Sequence, residues 1–270
     1  MNGNTIIGMS FEAQPQLMSL LSSSRPERDN GPDQAVRQHH FKIRAADSSR
    51  QLGAASMLIE KMYATRGYQT GPLKDDGTAN RITLVASDEC SAIGTLTVRF
   101  DSAAGLLGDE LFLDEINALR DAGRQVCEFT KLAMDRGVGS RRALAALFHV
   151  AYIYARRVGR CNNLLIEVNP RHVRYYEAML GFKALGPQRL NPRVNAPAVL
   201  LSLDLSYAHD QISKFGGRPD LAATERSAYP YFFSVAEEAG IVGKVRSAGA
   251  SRDPAMDQIQ TTHGDDRQFH

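Results

Sequence analysis

Val126-Cys127-Glu128-Phe129-Thr130-Lys131-Leu132-Ala133-Met134-Asp135-Arg136-Gly137-Val138-Gly139-Ser140, running on into Arg141 to Arg160, is the stretch from which the rest of the chain is read. Its first nine residues form an apolar strand, and the two-residue period of a strand puts the polar members Glu128 and Thr130 on one face. Gly137 and Gly139 let the backbone turn and approach a ligand closely. Ser140 is a good N-cap. Beyond it Leu144, Leu147, Phe148, Ala151, Tyr154 and Val158 recur at three- and four-residue steps, which predicts a helix with one buried face. A helix start exposes unpaired N–H groups and the positive end of its dipole, so strand, glycine turn and helix make a seat for a phosphate. Arg136, Arg141 and Arg142 add charge there, and from Arg136 to Arg160 the chain holds six arginines and no acidic residue. A plain strand-turn-helix with a solvated basic end gives the same local pattern, and nucleotide folds also seat phosphates after a glycine turn. The dinucleotide signature is not met, however: Arg142 stands at its third glycine, and Glu167 lies inside the next strand rather than at its end.

Next come Asn163-Leu164-Leu165-Ile166-Glu167-Val168, a buried strand by its unbroken apolar run, and Asn169-Pro170-Arg171-His172-Val173-Arg174-Tyr175-Tyr176, which leads to Gly181-Phe182. With these residues the sequence resembles the GNAT superfamily of N-acyltransferases. The family's phosphate loop, R-x-x-G-x-G/A, is met at Arg136 and Gly139, with Arg141 at its last position. Its later motif is an Asn after strand five, a Tyr on the following helix, then Gly-Phe. Asn169, Tyr176 or Tyr175, Gly181 and Phe182 meet it. Within the superfamily the sequence is most similar to long-chain N-acyl amino acid synthases and the related autoinducer (acyl-homoserine lactone) synthases. That likeness rests on Gly94-Thr95-Leu96-Thr97-Val98-Arg99, on Glu128-Phe129-Thr130-Lys131, and on the insertion Leu106 to Gln125 between them. The resemblance covers roughly Phe41 to Leu205.

The resemblance implies an α/β fold of GNAT type, with a mixed, mostly antiparallel central sheet flanked by helices and splayed between strands four and five. It implies an enzyme that needs no bound cofactor and no metal. The enzyme would move a long-chain fatty acyl group from the phosphopantetheine thioester of acyl carrier protein, or from acyl-coenzyme A, to the amino group of an amino acid by direct amine attack. By position, N–H groups from Leu132 to Met134 bind the pantetheine arm and polarise the carbonyl, while Arg136, Gly137, Gly139, Ser140, Arg141 and Arg142 hold its phosphate. Glu128 holds or deprotonates the amine, or else is a buried carboxylate paired with Lys131 or Arg99. Tyr176 is the candidate acid for the departing sulfur, with Tyr175 the alternative and core packing the bland reading of both. Arg99 and Lys131 bind the acceptor's carboxylate or neutralise Glu128. Thr130, Asn169 and His172 complete the acceptor side. An acyl-enzyme on Cys127 is disfavoured, since Glu128 beside it would raise the thiol's pKa. Arg141 and Arg142 can meet an acidic carrier-protein helix, whereas Arg156, Arg157 and Arg160 lie at the far helix end, where they favour the dipole. Two other functions fit less well: a coenzyme A-dependent N-acetyltransferase of a small amine or peptide, and a catalytically inactive GNAT fold serving as a binding module.

The remainder of the chain sets bounds. Its 270 residues are 43% hydrophobic, enough for a full core without disulfides. A net charge of +2 argues against a general nucleic-acid role. Cys90, Cys127 and Cys161 are odd in number and never spaced C-x-x-C, which speaks against a disulfide framework or a zinc site and for the reduced thiols of a cytoplasmic protein. Residues 1–38, with Ser22-Ser23-Ser24 and Asn30-Gly31-Pro32, read as a disordered tail. Residues 39–215 read as the acyltransferase domain. It has a first strand at Phe41–Ala45, a helix capped by Ser49, a covering loop at Tyr68–Lys74 and a hairpin of Arg81–Ala86 with Ala92–Phe100. A helical Leu113–Leu119 and two last strands at Phe182–Leu185 and Ala198–Leu205 follow. The loop Gln188 to Pro197, with Arg189 and Arg193, would close over an acyl chain. Residues 216–270 read as an extension with one short helix, Tyr229–Ala239, that packs on the domain or touches a membrane surface, and a disordered end from Ser247.

Overall fold

Unbroken or alternating apolar runs build a single sheet of nine strands among the residues that the computed structural model describes, 5–12, 38–68, 71–73, 80–88, 91–135 and 141–250. The strands are β1 (Thr5–Glu12), β2 (Gln38–Ala45), β3 (Arg81–Ser87), β4 (Ala92–Phe100), β5 (Val126–Met134), β6 (Asn163–Val168), β7 (Lys183–Ala184), β8 (Arg189–Asn191) and β9 (Ala196–Asp204). They lie in the order β1-β2-β3-β4-β5-β6-β9-β7, with β8 also on β9. Among these pairs β5 and β6 run parallel and the others antiparallel. The α-helices are α1 (Ser49–Ala64), α2 (Asp109–Asp121), α3 (Arg141–Tyr152), α4 (Val173–Leu180), α5 (Leu205–Phe215) and α6 (Val235–Ala250).

Helices on the sheet explain why its central strands are apolar throughout. Ile93 to Val98 of β4 is buried without a break. Helix α1 sets Leu58, Ile59 and Met62 against Ala133 of β5. Its cap is Ser48, one residue before the expected Ser49, with Oγ accepting from Gln51 N. In the insertion, Phe112 and Ile116 of α2 pack with Val126, Leu165 and Leu200, so α2 covers the face of β5 that also carries Glu128. Asp109 and Arg120 shape the approach to α2: Asp109 Oδ2 accepts from Leu106 N at 2.7 Å, and Arg120 bridges Asp101 and Asp109.

Three expectations need correction. First, the tail expected through Gln38 contains β1, which pairs with β2 along its length and buries Ile6 and Ile7. An average over 38 residues hides eight that find a sheet edge. β1 also shifts the strand count, so the expected strands four and five are β5 and β6. Second, α3 does not remain an α-helix to Val158, because Ile153–Val158 forms a π-turn. The wider turn advances the helical phase, so Tyr154 is buried whereas Val158, expected on the same face, is exposed. Third, the C-terminal helix begins at Val235, not Tyr229, and reaches Ala250, past the expected end at Ala239 and into the stretch expected to be disordered from Ser247. Tyr229–Tyr231 is a 3₁₀ turn with Pro230 in it. Ser234 and Glu237 then form a reciprocal capping box, Ser234 N donating to Glu237 Oε2 at 2.8 Å and Glu237 N to Ser234 Oγ at 3.3 Å. Of the two placements expected for the aromatic segment, packing on the domain is the one observed: Tyr229, Phe232 and Phe233 are buried, and no described helix is long and apolar enough to cross a membrane.

His149 is what holds this segment. Its Nδ1 accepts from Phe233 N at 2.9 Å, which leaves the proton on Nε2 to be donated to Glu238 Oε2 at 3.1 Å. Glu238 Oε1 accepts from Arg157 Nε at 2.8 Å. Burial pushes the His149 pKa down and favours this neutral form. Replacing Glu238 by Ala strands a buried imidazole N–H and a guanidinium. We expect it to lower the unfolding free energy by about 3 kcal/mol in urea titrations.

Candidate active site

Strand β5 changes partner halfway along. Its Val126, Cys127 and Glu128 pair with Asn163, Leu164 and Leu165 of β6, and past Glu128 the two strands part. Opposite, β5 holds one more residue than β4 between the pairs Thr95–Ala133 and Thr97–Thr130. This bulge is at Lys131, which lies in the left-handed region at φ 54°, with its carbonyl accepting from Thr95 Oγ1 at 2.8 Å. Above the bulge Asp135 N donates to Ile93 O of β4. By the two-residue alternation Ala133 also faces β4, so the N–H groups of Leu132 and Met134 face the opening.

The opening is a cavity of about 540 Å³. Phe129, Leu132, Met134, Phe148, Ile166 and Val168 make an apolar side. Arg66, Arg81, Arg99, Lys131, Arg171 and Arg193 bring positive charge, against Glu128 and Glu167. It therefore joins Glu128, Tyr176, Arg99, Thr130, Lys131, Asn169, His172, Tyr175, Leu132 and Met134, all expected from the sequence at one site. Arg136, Gly137, Gly139 and Ser140 lie outside the described residues. Arg141 and Arg142 do not line the cavity: Arg141 stacks over the Tyr231 ring at 5.6 Å and Arg142 is exposed.

Glu128 is 1% exposed. Its Oε2 accepts from Leu107 N, in the insertion, at 2.8 Å, rather than pairing with Lys131 or Arg99 as the bland reading had it. Burial pushes its pKa up to about 7. That net value already includes the opposing Leu107 bond, the upward push of Glu167 and the lowering charges of Arg193 and Arg99. Arg99 sits directly across from Glu128 on β4, with Nη1 3.4 Å from Gly105 O. Burial, then Arg193, lowers the Lys131 pKa.

On the far wall, α4 ends at Gly181, whose φ of 80° and 2.3 Å approach of a built Cβ to the Tyr207 ring leave room for no other residue. That turn drives Phe182 into the core, where its ring meets Tyr176 edge-on. Tyr176 is wedged among Phe148, Tyr175 and Phe182 and is the more buried tyrosine, yet both line the cavity. Burial raises both phenol pKa values, so both keep their protons. Asn169 accepts from Arg171 N at 3.2 Å, and its amide lies 3.5 Å from Tyr68 OH, in the expected covering loop. His172 Nε2 accepts from Arg171 Nε at 3.2 Å, and burial with Arg171 and Arg66 lowers its pKa to about 4. Its proton is on Nδ1, so it can donate but is no base.

Cys127 points into the main core, its Sγ 3.7 Å from Asn163 O, and burial raises its pKa well above the ordinary thiol value. Among the described residues no group of His, Cys, Asp and Glu could hold a metal ion. Leu107, Glu167 and Arg66 belong to the site although the sequence reading gave them no part in it, and Arg193, expected in a loop over the acyl chain, lines the same cavity. Leu107 acts through its backbone and carries no sequence signal. Arg193 and Glu167 were visible as charges beside apolar strands.

This architecture is that of a GNAT-type acyltransferase. Residues 54–204, more than half of the chain, match the family of N-acyl amino acid synthase FeeM, and the chain belongs to that family of N-acyltransferases. The solved structure of FeeM, an N-acyl amino acid synthase from uncultured soil microbes, is 24% identical. It aligns with a TM-score of 0.58 over 64% of this chain and 95% of its own, so the fold is shared. The acyl-homoserine lactone synthase LasI is 12% identical, with a TM-score of 0.48 over 62% of this chain and 91% of its own. No curated protein sequence matches the chain.

Burying Glu128 works against the fold. Its folded pKa of about 7 exceeds the ordinary 4.5, so the native state is penalised as pH rises from 4.5, fully so above about 7. Glu128→Gln keeps an oxygen for Leu107 N–H. We expect this variant to unfold about 2–3 kcal/mol less readily than the parent at alkaline pH and no less readily near pH 4, by urea titration.

Proposed function

We propose that the protein transfers a long-chain fatty acyl group from the phosphopantetheine thioester of acyl carrier protein to the amino group of an amino acid. The observation that carries this reading is a buried carboxyl, Glu128, whose pKa burial raises to about 7, in a cavity beside the opening of β5 that Arg99 and Lys131 also line. A base poised near the working pH is the most effective at taking a proton in a transition state. Arg99 and Lys131 fit an α-carboxylate, which would bring the adjacent amine towards Glu128. On the opposite side the apolar wall suits an acyl chain.

The steps follow from these positions. Glu128 takes a proton from the ammonium group or its water, and the amine adds to the thioester carbonyl. The N–H groups of Leu132 and Met134 stabilise the oxyanion. The C–S bond breaks as the amide forms, and Tyr176, or Tyr175 beside it, gives a proton to the departing thiolate. Neither a covalent enzyme intermediate nor a cofactor takes part. Arg141 and Arg142, at the start of α3, add positive charge that suits the acidic surface of a carrier protein.

The test is mass spectrometry of lipid extracts from cells expressing the chain or its Glu128→Ala variant. We expect new N-acyl amino acids that vanish in the variant. Their absence from both strains, with turnover of acetyl-coenzyme A and simple amines by the purified protein, would sink the lipid reading. With the amino acid so identified, Arg99→Gln and Lys131→Gln should each raise its KM about tenfold or more with a smaller effect on the donor's KM, in steady-state assays that vary each substrate in turn.

A further inference from the structure

The hairpin of β8 and β9 grips the insertion twice. From β8, Arg189 holds α2: Nη1 and Nη2 bond Glu115 at 2.8 and 2.7 Å, Nη1 also bonds Leu111 O at 2.6 Å, and the guanidinium lies over the Phe112 ring. From the turn, Arg193 holds the segment that leads into α2, its Nη1 donating to Leu107 O at 2.8 Å and Glu110 Oε2 at 2.5 Å. Its Nη2 donates to Glu167 Oε2 on β6 at 2.9 Å. The turn is itself pinned, since Asn191 is buried, accepts from Arg193 N at 2.8 Å and donates to Glu167 Oε1.

Leu107 joins the two halves of this arrangement. Its carbonyl is held by Arg193 while its N–H donates to Glu128. The following Gly108 is close enough that a built Cβ would stand 3.5 Å from Glu128 Oε1. We propose that Arg193 is a positioning residue for Glu128: by fixing Leu107 and Glu167 it sets the hydrogen bond and the charge that the Glu128 carboxyl meets. The inference rests on the reading of Glu128 as the base. A guanidinium suits the task because three acceptors in three directions, Leu107 O, Glu110 and Glu167, need a planar fork that an ammonium does not offer.

The charges that act on Glu128 are Glu167 from β6, Arg193 from the β8–β9 turn and Arg99 from β4, and Lys131, on β5 beyond the bulge, lines the same cavity. Arg81 of β3 pairs across from Arg99 and lines the same cavity. Taking away Arg193 removes a cation, releases Glu167 and loosens Leu107. All three favour the protonated carboxyl, so the Glu128 pKa rises. Removing the charge of Glu167 has the opposite sign.

The test is a carboxyl carbon-13 titration of the full chain, with the Glu128 signal assigned by its loss in Glu128→Gln. It runs beside the pH profile of kcat with a long-chain acyl thioester of acyl carrier protein and the amino acid recovered from the lipid extracts. We expect a Glu128 midpoint near 7, raised by about one pH unit in Arg193→Gln and lowered in Glu167→Gln. In Arg193→Lys it should stay within a few tenths of a unit while kcat falls severalfold. The acid limb of the profile should move with the midpoint. A merely structural Arg193 would lower kcat in both of its variants and move neither. An unmoved or lowered midpoint in Arg193→Gln overturns the proposal. Where that variant does not fold, an unmoved or raised midpoint in Glu167→Gln does so. Undiminished turnover by Glu128→Gln removes the base itself, a separate failure read from the rate rather than the titration.

Discussion

The parting of β5 from β6 is the constraint on which the rest of the molecule depends. Inside a sheet a strand's backbone groups have partners on both sides. Past Glu128, β5 keeps β4 and loses β6, so the N–H groups of Leu132 and Met134 are left facing a cavity. The bulge at Lys131 keeps β5 in register with β4 across the change, and Thr95 ties its carbonyl down. The apolar lining, the two tyrosines, Arg99 and Lys131 all line the cavity at this one interruption. The insertion then closes the face of β5 that the interruption would leave open, with α2 on Val126 and Leu107 on Glu128.

Much of this was legible in the sequence because it follows from local pattern. Glu128 and Thr130 alternate with apolar neighbours on a strand, and Asn169, the tyrosines and Gly181-Phe182 occur in a fixed order. What was not legible depends on partners far along the chain. No spacing announces that a backbone amide of residue 107 will meet the carboxylate of residue 128, or that Arg193 will reach Leu107 and Glu167 at once. The sequence offered Glu128 an ion pair with Lys131 or Arg99, and neither forms: its Oε2 is taken by the Leu107 N–H, a partner from another segment of the chain. The capping box of Ser234 and Glu237 was readable, by contrast. It lay behind an aromatic run that suggested an earlier helix start, and Pro230 in fact confines that run to a 3₁₀ turn.

Two buried acidic groups show how differently this protein treats charge. Glu238 is answered on both oxygens, by His149 and Arg157, and its pKa is held below the ordinary value by those bonds even though burial pushes it up. Glu128 receives one backbone N–H and the distant fields of Arg99 and Arg193, and burial wins. The first arrangement fastens a C-terminal segment to the core. The second leaves a carboxyl short of partners, which suits the proton exchange proposed for Glu128.

The ends of the fold meet. Helix α6 packs on β1, burying Ile241 and Val245 in the same core as Ile6 and Ile7. During synthesis the first strand therefore emerges long before the helix that covers it. Until residues near 245 have left the ribosome, the apolar side of β1 lacks that covering, and a strand at a sheet edge is a template for pairing with other chains. The enzyme thus acquires its finished edge late, and its nascent chain depends on the time between making the first strand and making the last helix.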